Sequence, residues 1–501
     1  MPSFTYQPFL RPDLPQVFGP KEYREERALF VRIDEILIAS GLEEEFITLA
    51  MERHGLDLAT SSAKQTENFC RNSVLALRSN IARHFKEMDH REFCTRLADS
   101  PLLQWFLQIG RVNKIKVFAK SSSDRFSRWI DEAGLRRINN KLISLLAAPA
   151  AGADPAPFGL KHPVGFDDIF FDSTCLKAPI HFPVDWVLLR DVTRTLMKAT
   201  VLIRRAGLRH RMPQEPLEFL SDMNTLCMKM TAKNRTKDGT KHRKGVLREM
   251  KSLSKRIAKH ARKHLDLLTT RSHEIDLTHG RIEQISQRIQ GILDQLPAAI
   301  KQAHERIIGG RKLPNKDKIL SLYDPDVQVI VRGKSNAEVE FGNNLWLGET
   351  REGFIADYLL EKEKTSDAKQ IQPAISRLVS EQHLPVSNVW GDRALHSVAN
   401  EEFLETHGIR SGLCPRNAID LAGRLENEPG MREGLKRRAG TEARISILIR
   451  DFMGKPARAK GIAHRELMVG WAVLSHNLWV LARLEQRSQS EEIERQESEA
   501  A

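Results

Sequence analysis

Three carboxylates in this chain of 501 residues stand where catalytic acids are displayed. Asp172 closes a short apolar run, Asp168-Ile169-Phe170-Phe171-Asp172, and small polar Ser173 and Thr174 follow it. Asp392 comes behind Gly391, just after a strand expected at 386–390. Glu442 lies in a helical stretch with Arg438 one turn earlier on the same face. Carboxylate oxygens are the donors that hard divalent cations such as Mg²⁺ take, together with phosphates and water. A single acid at a strand end is more often a cap or a turn residue, so the reading rests on the contexts of all three together.

Spacing excludes other chemistries. Gly333-Lys334-Ser335 resembles the end of a phosphate-binding loop, but the position five residues before Gly333, which that loop needs as glycine, holds Gln328. No H-E-x-x-H and no G-x-G-x-x-G occurs, and no nucleotide cofactor is expected. The 5 cysteines are scattered without a C-x-x-C, which argues against a disulfide framework or a zinc module and fits a reducing cytoplasm. Residues 1–20 lack a cationic segment followed by an apolar one, and no apolar run reaches about 18 residues, so neither secretion nor membrane spanning is expected. The stretch 467–484, interrupted by His476 and Asn477, reads as a buried core helix. The net charge of +13 favours a polyanionic partner, nucleic acid before an anionic membrane surface.

The elements that must position these acids divide the chain. Residues 1–146 show helical periodicity and form an all-α N-terminal domain, for DNA binding or dimerisation. Residues 147–158, rich in alanine and proline, read as a linker. Strands are expected at 168–172, 327–331, 337–347, 354–360, 386–390 and 408–413, with helices at 368–383, 435–452 and 463–483. These make an α/β domain over 159–485, interrupted by a helical insertion at about 190–310. Within it Ile282, Ile285, Ile289, Ile292 and Leu296 form a short heptad seam, expected to build a helical hairpin. Residues 486–501, rich in glutamate, read as a disordered acidic tail.

In order along the chain, the motifs resemble those of the DDE-class insertion-sequence transposases, most closely the group known as ISNCY. Phe171-Asp172-Ser173-Thr174 resembles the first-acid strand, and Ile180-His181-Phe182-Pro183-Val184-Asp185 the I-H-Y-P-T-D turn after it. Val339-Glu340-Phe341-Gly342 is similar to the V-E-F-G signature, and Gly391-Asp392-Arg393-Ala394-Leu395-His396-Ser397 to the second-acid motif G-D-R-G-F-H-S. Arg438-Ala439-Gly440-Thr441-Glu442 resembles the third-acid helix, and Leu474-Ser475-His476-Asn477-Leu478 the terminal L-x-x-N-L helix. The chain departs from the pattern at Trp186, at Ala394-Leu395, and seven residues past Glu442, where Ile449 stands in place of a basic residue with Arg450 next to it.

The resemblance implies an RNase H-like catalytic domain carrying out Mg²⁺-dependent strand cleavage and strand transfer at the ends of an insertion sequence, with Mn²⁺ as a substitute ion. It implies Asp172 bridging two ions, with Asp392 and Glu442 completing one site each. The partners are then double-stranded DNA, both element ends and target, and a second copy of the chain, since two ends must be held; the setting is the nucleoid of a prokaryotic cytoplasm. Residues 233–263 hold thirteen Lys/Arg against Asp238 and Glu249, which makes Lys251, Lys255, Arg256 and Lys259 candidates for phosphate contact. Arg393, His396, Arg438, Arg450, Lys455 and Arg458 are further DNA-contact candidates. A catalytically inactive end-binding protein and a plain metal-dependent nuclease remain the alternatives.

Overall fold

The computed structural model describes residues 13–14, 19–109, 115–147, 157–232, 238–334, 337–363, 365–454 and 456–485. The expected acidic tail, most of the expected linker and Lys455 lie outside these. The chain opens with helices α1 (Lys21–Ser40), α2 (Leu42–His54), α3 (Ala63–Phe85), α4 (His90–Asp99), α5 (Pro101–Phe106), α6 (Lys120–Phe126) and α7 (Glu132–Ala147), then strand β1 (Asp168–Lys177). Next come α8 (Asp185–Arg205), α9 (Pro216–Ala232), α10 (Gly239–Thr270), α11 (His279–Ala303), β2 (Gln328–Lys334), β3 (Ala337–Glu349) and β4 (Ile355–Leu360). The remainder is α12 (Ile371–Ile375), β5 (Asn388–Gly391), α13 (Val398–Thr406), β6 (Arg410–Leu413), α14 (Ala418–Asn427), α15 (Met431–Ala439), α16 (Thr441–Ile447) and α17 (Ile462–Arg483).

Two compact units result, one made of residues 1–178 with 342–501 and the other of residues 179–341. The first is mixed α/β. Its sheet runs β4-β3-β1-β5-β6, with β3 antiparallel to both β1 and β4 and with β1, β5 and β6 mutually parallel. β2 neighbours β3. The expected boundary at 147–158 does not divide the packing. Ile33, Phe46, Leu77 and Ile138 from the first seven helices share one core with Phe171 and Trp346 of the sheet and with Trp471, Leu474 and Leu478 of α17. The cause lies in α17, whose residues are buried almost all round. A helix apolar on every face needs cover from both sides, and α1, α3 and α7 supply it together with β4. No helix among the described residues is long and apolar enough to cross a membrane.

Asn477 of the expected terminal motif is fully buried and joins α17 to the sheet. Its Oδ1 accepts from the Ile355 N–H at 2.8 Å and its Nδ2 donates to the Ile355 carbonyl at 3.0 Å, satisfying both backbone groups at the start of β4.

The second unit holds α8–α11 around their own apolar core. The heptad residues Ile285, Ile289, Ile292 and Leu296 are buried there against α8 as well as α10, so the expected hairpin of α10 and α11 is part of a four-helix core. Asp185, at the end of the I-H-Y-P-T-D-like turn, is buried within this unit and accepts from Gln302 at 3.0 Å and Arg306 at 2.8 Å. Its part is to anchor the start of α8 against α11. Trp186, the departure beside it, lies under the Arg243 guanidinium at 5.3 Å.

Candidate active site

The parallel pairing of β1 with β5 brings two of the acids together. Phe170 and Trp390 are register partners and their rings stack, with centroids 6.1 Å apart. Side chains alternate along a strand, so the residue two positions on returns to the same face. In β1 that residue is Asp172 and beyond β5 it is Asp392, on neighbouring strands about 4.8 Å apart. Both stand past the last β1–β5 pair, where β5 ends and β1 continues against β3 alone. Asp172 therefore lies inside its strand rather than closing it. Ser173, Thr174 and Cys175 keep pairing with β3 as far as Lys177, opposite Gly342. Gly342 of the V-E-F-G-like segment is needed for that approach, because a Cβ there would meet the Leu176 carbonyl oxygen at 2.0 Å.

Trp390 is held so that the register cannot drift. Its indole N–H donates to the buried Asp168 at 2.7 Å, and Asp168 in turn takes Arg351. Helix α15 presses on the far side of the ring through Gly434, where a Cβ would stand 2.0 Å from the indole. Met431 completes this small core with Phe170 and Trp390.

The expected single helix over 435–452 is broken into α15 and α16 between Ala439 and Thr441, and the break is fastened to the sheet by Glu349 of β3. Glu349 is buried, accepting from Arg437 at 3.0 Å and from the Thr441 hydroxyl at 2.8 Å. Arg437 also lies 4.7 Å over the Phe170 ring and donates to the Thr350 carbonyl at 2.9 Å. Each fastened residue is followed by a functional candidate, Arg438 and Glu442. Arg438 Nη2 donates to Asp172 Oδ2 at 3.2 Å and stands 3.9 Å from Asp392 Oδ2. Asp392 uses its other oxygen to accept from the Ala394 N–H at 2.9 Å.

The electrostatics join all three acids. Burial pushes the Asp172 carboxyl above its ordinary range; Arg438 and the Ser173 N–H pull it down, and the Asp392 and Glu442 carboxylates push it up. Glu442 itself is exposed at the start of α16. Among the described residues no three acids, histidines or cysteines stand close enough to share one metal ion. The arrangement is a pair of adjacent carboxylates bridged by a guanidinium, with a third acid within electrostatic reach.

The expected DNA-contact residues fall into distinct groups. Lys255, Arg256 and Lys259 are exposed on α10, opposite its buried stripe of Met250, Leu253, Ile257 and Ala261. Lys251 instead bonds His304 Nδ1 at 3.0 Å within the same unit. Arg393 is exposed. His396 stands 3.5 Å from Glu401, which also takes Arg424 at 2.8 Å, so it is tied to α13. Arg450 is paired with the adjacent Asp451 at 2.6 Å. Arg458 donates to the Glu87 carbonyl at 3.0 Å. Arg438 faces the acids. Sequence reasoning missed Asp168, Glu349 and Arg437, whose partners lie far along the chain and leave no local pattern.

No family model, no curated protein and no solved structure matches this chain.

Proposed function

We propose that the chain is a DNA transposase of the DDE class, in which Asp172, Asp392 and Glu442 act on the phosphodiesters at the ends of an insertion sequence. The observation that carries this reading is the register of β1 and β5, which sets Asp172 beside Asp392 where the parallel strands end, with α16 bringing Glu442. Crevices at the carboxyl ends of parallel strands are where open α/β sheets place their ligands. The mixed sheet, with β1 parallel to β5 and antiparallel to β3, supports reading the domain as RNase H-like, with the unit of residues 179–341 inserted between β1 and the body of β3.

The donor set fits Mg²⁺, or Mn²⁺ in its place. It is made of carboxylates, and a positive charge already sits between two of them in the form of Arg438. Bound there, such ions supply activation of the attacking water or 3′-hydroxyl and stabilisation of the leaving oxygen. Asp172, Asp392 and Glu442 would be the residues to hold such ions, Asp172 being the one that feels the charge of both others. Burial raises the Asp172 pKa and Arg438 lowers it, so the guanidinium favours the carboxylate form until a metal ion binds. Arg438 steadies the two carboxylates until then and is placed to turn to the substrate phosphate afterwards. Two element ends call for two copies of the chain in the active complex.

The test uses purified full-length chain, Mg²⁺, and labelled duplex DNA from the flanks of its own coding sequence, scored for cleavage and for joining. Both products are expected from the unaltered chain. Asp172→Asn, Asp392→Asn and Glu442→Gln should each lose both while binding DNA with nearly unchanged affinity, since they keep shape and weaken metal coordination. Cleavage without joining would make the chain a nuclease, and binding without cleavage an end-binding protein.

A further inference from the structure

A second site lies in the same unit, away from the three acids in sequence. A cavity of about 280 Å³ is bounded by the end of α3, the start of α4, the turn after α6 and the segment leading into α17. Its apolar wall is Leu467, Met468 and Trp471. Four cationic side chains line it: Arg83, Arg128, Arg458 and Lys460.

The two carboxylates in the lining are already engaged. Asp89 is the N-cap of α4 and accepts from the N–H groups of Arg91 at 2.7 Å and Glu92 at 2.9 Å. Asp124 is paired with Arg128. That leaves Arg83 as the unusual group. Its Nε is buried without a partner. Its other nitrogens reach the Met88 carbonyl and Asn80 Oδ1 only at 3.5 Å each, and it donates to His84 Nε2 at 2.9 Å. His84 is fixed as an acceptor there because its Nδ1–H is spent on the Phe452 carbonyl at 2.6 Å. Arg83 thus hydrogen-bonds to no carboxylate among the described residues; Asp89 and Asp124 act on it only through space. Burial and the neighbouring Arg458 push its pKa down to about 10, the mark of a cation that lacks a counter-charge. A half-buried guanidinium without a carboxylate partner is suited to an anion, and its planar fork fits the oxygens of a phosphate.

We propose that this cavity is a phosphate-binding site that takes one phosphate group of a DNA backbone against Arg83, with Arg128, Arg458 and Lys460 lining the same space. The DNA source rests on the transposase reading; the phosphate chemistry does not. Arg458 and Lys460 precede α17, so a phosphate held there would tie the duplex to the helix at the centre of the unit's core.

Inorganic phosphate serves as the first probe, titrated against the full chain at constant ionic strength with chloride as the reference. Phosphate should raise the thermal unfolding temperature of the unaltered chain and leave Arg83→Met unmoved. In chloride, Arg83→Met should be at least as stable as the parent, because it removes a half-buried charge that no carboxylate hydrogen-bonds; a purely structural arginine would give the opposite. Arg458→Gln, at a half-exposed position, keeps the test open should Arg83→Met fail to fold, and should weaken phosphate affinity at least about tenfold. Equal stabilisation of parent and variants, or none in the parent, overturns the proposal. The second arm measures affinity for a duplex of arbitrary sequence against salt. Arg83→Met should lower the log–log slope by about 0.9, the share of one phosphate. A retained phosphate effect with an unchanged slope overturns the DNA assignment and leaves free phosphate as the ligand. Absence of DNA cleavage by the unaltered chain would sink the transposase reading without touching the phosphate titration.

Discussion

Replacing Arg438 by glutamine removes the positive charge that bridges Asp172 and Asp392 while keeping most of the side chain's length. The hydrogen bond to Asp172, at 3.2 Å between groups 19% and 14% exposed, is charge-assisted and contributes about 1.5–3 kcal/mol. The longer approach to Asp392, 3.9 Å from a carboxylate 39% exposed, adds less than about 1 kcal/mol after solvent screening. Without metal, Arg438→Gln should therefore lose about 2–4 kcal/mol in denaturant unfolding, because Asp172, Asp392 and Glu442 are left repelling one another. With saturating Mg²⁺ the gap narrows. The ion replaces the missing charge in the variant, whereas in the parent it must first displace Arg438, so the variant should bind Mg²⁺ at least about tenfold more tightly, a gain of about 1.4 kcal/mol. Isothermal titration and Mg²⁺-dependent unfolding, both without DNA, measure these quantities. An equal or smaller Mg²⁺ effect in the variant would show that Arg438 and the ion do not compete for one place, and the site assignment would fall with it.

Neutralising Lys255, Arg256 and Lys259 on α10 should flatten the salt dependence of duplex binding by up to about 2.7 in log–log slope, read by fluorescence anisotropy across a salt series; adding Lys251 should change little more, since His304 holds it. Gly434→Ala puts a methyl group 2.0 Å from the Trp390 ring, so α15 must lift by more than about 1 Å; cleavage should fall about 100-fold and stability by about 1–3 kcal/mol, although alanine is the better helix former. Buried His476 is held neutral, its pKa pushed down from 6.5 to about 4 by burial. The unfolded chain takes that proton first, so this contribution is complete above about pH 6.5 and fades as pH falls toward 4, by at most about 3 kcal/mol. Unfolding of His476→Gln should show a shallower acid decline than the parent.

Much of the sheet was legible because its central strands are short apolar runs, such as Ile169-Phe170-Phe171 and Val389-Trp390. The acids were legible through their local context. The continuation of β1 past Asp172 was not, since an aspartate is disfavoured in strands and it is pairing with β3 that carries β1 through Asp172 and Ser173. The break at Gly440 was marked in sequence only by Gly440-Thr441, and the side chain that fastens it, Glu349, comes from β3. The alanine- and proline-rich stretch at 147–158 signalled a boundary, yet composition marks only where the chain bends. The counter-signal was the nearly continuous apolar pattern of 467–481, which no single layer could cover. Arg438 and Glu442 were expected on one helix face but stand on α15 and α16, and Asp172, on a strand 266 residues away, could not be paired with Arg438 from sequence.

The unit of residues 179–341 leaves the chain after Ala178 and returns at Gly342, and Lys177 and Gly342 are register partners on adjacent antiparallel strands. The whole four-helix body thus occupies the place of a hairpin turn, a gap that two residues of type Asn-Gly could close. Had that stretch been an unstructured loop, bringing β1 and β3 together across it would cost about 4.5 kcal/mol in chain entropy. A body that folds by its own local contacts and brings residues 178 and 342 together spares the sheet that cost. It also makes the body separable: a chain lacking it could keep the strands and the helix that carry the three acids while discarding the basic stretch 233–263, so that under the proposed function the acids and the basic stretch would be separate parts.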